Sequence, residues 1–304
     1  MKFVVTGGAG FVGSHLVKLL IGEGHSVIVI DNLYNGTKEN LKSVIDKIEF
    51  HKIDIRDFES MKKILKNIDG VFHQAALTVV EDSFERPNEY HAVNVLGTEN
   101  IFKLAKENNF KVVYASSSSV YGHQQDLPIS ENAQRNPINP YGKTKLQAET
   151  VFKKYTELGT TIIGLRYFNI YGKGQNLDYA GVITKFLDRI TKQKPPIIFG
   201  DGSQTRDFIF VGDVVKANLN AMTSNTKNLL ANIGTGNAIS ILDLAEMVID
   251  ASGTPSEIIY EDALNGDIKN SQAHIDLAIK SFSWKPEMKL RSWLQTTIVT
   301  LKNE

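Results

Sequence analysis

Cysteine is absent from the 304 residues. That excludes disulfides, thiolate nucleophiles, iron–sulfur clusters and cysteine-ligated zinc, and it suits a reducing compartment. Net charge is also missing, because 34 basic and 34 acidic side chains cancel. A neutral chain has no general attraction to phosphate backbones or anionic lipid, so neither nucleic acid nor membrane is expected as a partner. The histidines stand at 15, 25, 51, 73, 91, 123 and 274, with no two at helical ligand spacing. No local metal-binding sequence exists, and no metal is expected. No apolar run approaches the ~20 residues that span a bilayer. The start, Met1-Lys2-Phe3-Val4-Val5, meets Gly7-Gly8 without the apolar stretch and cleavage site of a signal peptide. A soluble, cytoplasmic protein is expected. What remains is ordinary for a globular chain: 42% apolar and 22% charged residues, with length for two packed units.

Strand and helix signals alternate through the first half. Phe3-Val4-Val5, Val27-Ile28-Val29-Ile30, Ile48 to Ile53, Gly70-Val71-Phe72 and Val112-Val113-Tyr114 read as strands. Their continuous apolar character fits strands covered on both faces. Val12, Leu16, Leu19 and Leu20 recur at helical spacing, and further helical patterns centre on 58–67 and 90–107. Asn139-Pro140 reads as cap and first turn of another helix, with Ala148, Val151, Phe152 and Tyr155 as its buried stripe. The expected class is α/β, a doubly wound parallel sheet of Rossmann type over residues 1–165. After Arg166 the pattern loosens into Gly-rich loops and helical stretches near 180–191, 212–223, 240–251 and 289–301. A smaller C-terminal α+β substrate domain is expected over 166–304, with segments crossing back to the first.

Three features carry chemistry. Thr6-Gly7-Gly8-Ala9-Gly10-Phe11-Val12-Gly13 joins the first strand to the first helix. Glycines at 7, 10 and 13 permit a tight turn, close approach of a pyrophosphate, and close helix–sheet packing. Gly8 and Gly13 also have P-loop spacing, but Ser14 stands where that motif needs Lys, which disfavours a nucleoside triphosphatase. Asp31 ends the second strand, where a carboxylate can accept hydrogen bonds from a ribose diol and repel a 2′-phosphate, favouring NAD over NADP. Asn32 and Asn35 are ribose or phosphate neighbours, or members of an Asn-rich turn. Tyr141 and Lys145 sit four apart and share a helix face. A nearby ammonium can lower a phenol pKa, although taken alone the pair fits better a helix start with solvent-facing side chains. Ser116-Ser117-Ser118-Ser119 follows the fifth strand, at the sheet edge where such folds bind ligands or as a plain polar loop.

In order, the Gly turn, Asp31, Asp54-Ile55, His73-Gln74-Ala75-Ala76-Leu77, Asn94, Ser117, Tyr141-Gly142-Lys143-Thr144-Lys145 and Arg166-Tyr167-Phe168-Asn169 resemble the extended short-chain dehydrogenase/reductases. More narrowly the chain is similar to the nucleotide-sugar 4-epimerases. The resemblance implies that Tyr141 is the base for the sugar 4-hydroxyl while C4 passes a hydride to NAD and takes it back on the other face. It implies that Lys145 holds the nicotinamide ribose and lowers the phenol pKa, and that Ser117 bonds the same sugar oxygen. Asp54 and Ile55 would flank adenine. Ala75, Ala76 and Asn94 would line the cofactor, and Tyr167 and Phe168 would abut its nicotinamide side. For the nucleotide sugar it implies Thr78, Ser117, Ser118 and Val182 as substrate contacts, Ile198 and Phe199 beside uracil, Asn169, Arg206 and Asp267 near the diphosphate, and Ser271 beside the hexose.

Departures from the family pattern refine the expectation. Sugar 4,6-dehydratases of the family carry Asp-Glu after the hydroxyl residue, and the decarboxylases carry Glu at the second of those places. Ser118 and Ser119 occupy both places here, so epimerisation is favoured. A second diphosphate Arg common in the family is replaced by Leu264. The small Ser271, where glucose-restricted members have Tyr, predicts tolerance of an N-acetyl group. The expected activity is UDP-glucose/UDP-galactose 4-epimerisation, extending to the N-acetylhexosamine pair. Alternatives are a UDP-glucuronate 4-epimerase, a true dehydrogenase and, in another class, an inert NAD-binding regulatory protein. The resemblance also implies a homodimer through helices covering 88–107 and 140–157.

Overall fold

The computed structural model describes residues 1–177, 181–263 and 267–303. Its central element is a seven-stranded parallel sheet. The chain contributes β1 (Lys2–Thr6), β2 (Ser26–Ile30), β3 (Ile48–His51), β4 (Gly70–His73), β5 (Lys111–Ser117) and β6 (Ile162–Tyr167) in sequence. Beyond them come β7 (Asn169–Tyr171), β8 (Ile197–Phe199), β9 (Thr205–Phe210), β10 (Leu229–Ile233), β11 (Ala238–Ser240) and β12 (Ile259–Glu261). The order in the main sheet is β10-β6-β5-β4-β1-β2-β3. The direction of winding reverses between β1 and β4, so the crevice above their carboxyl ends is the ligand position for this fold.

The apolar strand runs are explained by what covers them. Phe3 and Val5 enter one core with Val27 and Val29; Val4 enters the opposite core with Ile28 and Ile30. The first core is closed by α1 (Phe11–Gly22), and the second by α2 (Phe58–Ile64). Two short helices, α3 (Val80–Glu85) and α4 (Pro87–His91), precede α5 (Thr98–Asn108) and α6 (Pro140–Glu157), which complete the second layer. Alternation of period two between two apolar layers leaves no polar face on the inner strands. The helical pattern around 90–107 is one path but not one helix. A π-helical turn at Ala92–Gly97 separates α4 from α5. Asn139 caps α6 by accepting from the Gly142 amide at 2.8 Å.

The second half builds a smaller lobe. Its core gathers side chains of α7 (Val182–Thr191), α9 (Ile241–Ser252) and α11 (Leu290–Asn303) with those of β8 and β9. Two short sheets, β11-β9-β7 and β12-β8, complete it. The remaining helices, α8 (Val211–Thr223) and α10 (Asp276–Phe282), pack instead on the first lobe beside α1. β10 joins the main sheet by pairing in parallel with β6. A sequence division at 165/166 cuts through β6, whose hydrogen bonds to β5 continue to Tyr167. Among the described residues no helix is long and apolar enough to cross a membrane.

Candidate active site

The turn between β1 and α1 is built by close contact. Gly7 takes φ +68°, and a Cβ on Gly13 would lie 2.0 Å from the Gly7 carbonyl oxygen. Only hydrogen fits at position 13, so the helix starts directly against the turn. Gly10 caps α1 without any side-chain bond. The first-turn amides therefore stay without side-chain partners on a wall made by Gly10, Phe11, Val12 and Gly13. That wall belongs to a cavity of about 840 Å³ over the carboxyl ends of the main-sheet strands.

Asp31 follows β2 at the cavity edge, 7% exposed. Its carboxylate accepts from the Ala9 amide at 2.9 Å and the Leu33 amide at 2.7 Å. Burial pushes its pKa up, and the two amides oppose the shift. Beside it, Asn32 donates to Asp54 at 2.9 Å. Arg56 donates to the same carboxylate at 2.8 Å from both Nε and Nη2, and this pairing holds Asp54 at about 2. Asn35 Oδ1 is buried in the cavity wall with no hydrogen-bond partner. A turn open to phosphate, an acidic group for a ribose and an orphaned amide oxygen suit a dinucleotide. Ile55 after β3, and Ala75, Ala76 and Thr78 after β4, line the same space.

The chemical group lies over β5. The first turn of α6 presses on the serine tract so closely that a Cβ on Gly142 would come 2.6 Å from the Ser119 carbonyl oxygen. Tyr141, Lys145 and Ser117 are thereby brought to one cavity wall. The Tyr141 amide donates to Ser83 Oγ at 3.1 Å, which ties the helix start to α3. Lys145 Nζ donates to the Ala115 carbonyl at 2.9 Å and lies 5.9 Å from the Tyr141 ring centroid. Burial lowers Lys145 to about 8, opposed by Glu149 one turn along. Burial raises the Tyr141 phenol, and the Ser117 hydroxyl opposes it. Ser117 Oγ also accepts from the Ser119 amide at 3.2 Å. A hydroxyl, a phenol and a cation on one wall form a proton-handling group.

Tyr167, Phe168 and Asn169 continue that wall from the end of β6. The Tyr167 hydroxyl donates to Gln74 Oε1 at 3.1 Å, and Asn218 donates to it at 2.8 Å. The role of Gln74 is not legible in the sequence, because its partners stand 93 and 144 residues away. Tyr34, Arg56 and Gln175 also line the cavity. Their only sequence signal was position just beyond a strand or a Gly-rich turn.

Several expected site residues lie elsewhere. Asn94 does not line the cavity; it sits in the π-helical turn, donating to the Leu77 carbonyl at 2.9 Å and to Thr144 at 3.0 Å. Its side chain pins the loop after β4 to α6. The Ile198 side chain is 0% exposed inside the second lobe's apolar core. Val182 packs against that core, Phe199 is half-buried on β8, and Ser118 opens a short 3₁₀ turn. None of the three lines the cavity. Arg206 pairs with Asp267 and with neither of the acids nearer in sequence, Asp207 and Asp213. Asp207 is instead held by the amides of Thr235, Gly236 and Ala273, and Asp213 by those of Glu287 and Met288. Ser271 is buried beside this pair's strand, its amide donating to the Thr205 carbonyl at 3.1 Å. Leu264 lies outside the described residues. Among those residues no group of three or more His, Cys, Asp or Glu could hold a metal ion.

This fold and site define an NAD-dependent, Rossmann-type enzyme. The description of the NAD-dependent epimerase/dehydratase family matches residues 3–234, and the chain belongs to that family. A chain of Methanocaldococcus jannaschii, provisionally named a UDP-glucose 4-epimerase, is 43% identical over 99% of this chain and 98% of its own. The solved UDP-N-acetylglucosamine 4-epimerase of Methanobrevibacter ruminantium, in complex with UDP-N-acetylmuramic acid, has TM-score 0.93 and 38% identity, covering 98% of this chain and 97% of its own. The UDP-glucose 4-epimerase of Thermotoga maritima with UDP-glucose has TM-score 0.94 and 34% identity, covering 100% and 99%.

Proposed function

We propose that this enzyme interconverts a UDP-hexose and its C4 epimer. The observation that carries the reading is the meeting of Tyr141, Lys145 and Ser117 on one wall of the dinucleotide cavity. NAD, when bound, supplies a reversible oxidant for the sugar C4. Tyr141 accepts the proton of the 4-hydroxyl and later returns it. Lys145, anchored to the Ala115 carbonyl, keeps a positive charge beside the phenol at neutral pH. Ser117 orients the same sugar oxygen. The absence of carboxylates at Ser118 and Ser119 removes the acid and base that dehydration or decarboxylation would use.

For the sugar, the small and buried Ser271 supports acceptance of both the glucose/galactose and the N-acetylhexosamine pairs. Arg206 and Asp267, paired with each other, are positioned to reorganise around a diphosphate, since an arginine fork can bind two anionic oxygens. Two chains pair through the layer that holds α5 and α6, and the enzyme works in the cytoplasm. The purified protein is incubated with UDP-galactose, UDP-N-acetylgalactosamine and UDP-glucuronate, and products are separated by chromatography. Conversion of the first two to the gluco epimers, without steady growth of NADH absorbance, is the expected result. Turnover of UDP-glucuronate alone would move the enzyme to the uronate series. Steady NADH growth would make it a dehydrogenase, and no conversion of any sugar would leave an NAD-binding regulatory protein.

A further inference from the structure

One end of the cavity is closed by side chains that the proposed chemistry does not use. Tyr34, in the loop after β2, lines the cavity yet is 46% exposed. Its amide donates to Asn32 Oδ1 at 3.0 Å, and Asn32 in turn donates to Asp54. Asp54 holds Arg56, which Glu89 faces across the mouth. Glu89 accepts from Arg86 at 3.2 Å. Arg86 then returns to the start, donating to the Tyr34 hydroxyl at 2.5 Å with its guanidinium 5.8 Å from the ring centroid. Polar side chains thus run from the β2 loop, past β3, to the α3–α4 corner and back.

Arg86 and Tyr34 are 52 residues apart, and their hydrogen bond ties the α3–α4 corner directly to the β2 loop beside the cavity. Neutralisation of Arg86 does not require the contact, because Asp82 at 2.5 Å and Glu89 already flank the guanidinium. Tyr34 is linked through Asn32 to Asp54, so the bridge borders the part of the cavity that Asp31 and Asp54 line. We propose that the Arg86–Tyr34 bridge is a retention device for the dinucleotide: NAD leaves through this mouth only when the bridge opens. An enzyme that regenerates its cofactor in each cycle gains from slow loss of it. The inference rests on the family's cofactor and not on the choice of sugar.

Retention is a rate, so the test reads a rate. Protein carrying radiolabelled NAD is diluted into excess unlabelled NAD, and retained label is followed by rapid filtration for wild type, Tyr34→Phe, Arg86→Ala and the double variant. Each single variant is expected to release NAD at least threefold faster, because a hydrogen bond to a charged donor is lost. The double variant is expected to be no faster than the faster single one, since both remove the same bridge. Thermal midpoints of the NAD-free proteins should stay together, because half-exposed ion pairs add little to stability. Release within threefold of wild type in both single variants overturns the proposal. So does a double variant whose acceleration is the product of the two. Failure of every sugar assay would leave this measurement intact.

Discussion

The assignment of Tyr141 as base and Lys145 as its electrostatic partner makes a prediction about pH that a structural role does not. Burial lifts the phenol above its ordinary value of ~10, so ionisation at pH 7 needs more than about 4 kcal/mol of help. An ammonium 5.9 Å from the ring centroid supplies about 3 kcal/mol at an effective dielectric constant of ~20, roughly two pH units. The balance falls to the cofactor's own positive charge. In Lys145→Met the acid limb of kcat/KM for UDP-galactose should therefore move up by roughly two units, with about a hundredfold loss at pH 7 that shrinks as pH rises. Tyr141→Phe should lose roughly a hundredfold or more with no recovery at any pH. The wild type should decline above about pH 8, where Lys145 gives up its proton, and Lys145→Met should lack that decline. Initial rates from pH 6 to 10 at saturating NAD, with bound NAD quantified for each variant, measure all three. An unmoved acid limb in Lys145→Met refutes the electrostatic account, and full activity of Tyr141→Phe refutes the base.

Other consequences are open to simple measurement. Ser271→Tyr should cut turnover of UDP-N-acetylgalactosamine at least tenfold more than that of UDP-galactose, at ~1.4 kcal/mol per tenfold; equal losses would defeat the steric account. Glu149 is buried under Arg166, which donates to it at 2.7 and 2.8 Å, with Ser116 adding a third bond at 2.7 Å. Glu149→Gln should lower stability by about 3–5 kcal/mol, read from the urea midpoint, because a buried guanidinium loses its counter-charge. An unchanged midpoint would show the pair to be dispensable. His73, between Thr6 Oγ1 and Thr98 Oγ1, is held by burial at about 3, so the unfolded chain binds the extra proton between pH 6.5 and 3. Stability present at neutral pH should be lost as pH falls through that window, by about 3 kcal/mol at pH 4 for this group. Thermal midpoints of His73→Gln should fall less steeply with acid than those of wild type, and identical slopes would rule this out.

Much of the site was legible because its parts are local. The Gly7–Gly13 turn, the Asn139-Pro140 helix start and the four-residue spacing of Tyr141 and Lys145 are each written within one stretch of chain. Asp31 was legible by its place at the end of a strand. The π-helical turn that aims the Asn94 amide at Leu77 and Thr144 was not legible, because the residues around it read as a continuous helix. The burial of Ile198 was not legible either, because a three-residue strand does not declare which of its faces is buried. The partner of Arg206 lies 61 residues away, and Asp207 and Asp213 stand much nearer in sequence.

By itself the sequence determined the doubly wound class and the dinucleotide turn, which follow from short-range sterics, capping and periodicity; the roles of Tyr141, Lys145 and Ser117 came from the family resemblance. Tertiary structure alone decided which distant groups meet. It placed β10 beside β6, held Lys145 against Ala115 and beneath the sheet's edge, joined Arg86 to Tyr34, and buried the ionisable groups enough to move their proton affinities. Those outcomes depend on how the two apolar layers dock and on how much water they exclude, and neither is encoded at any single position of the chain.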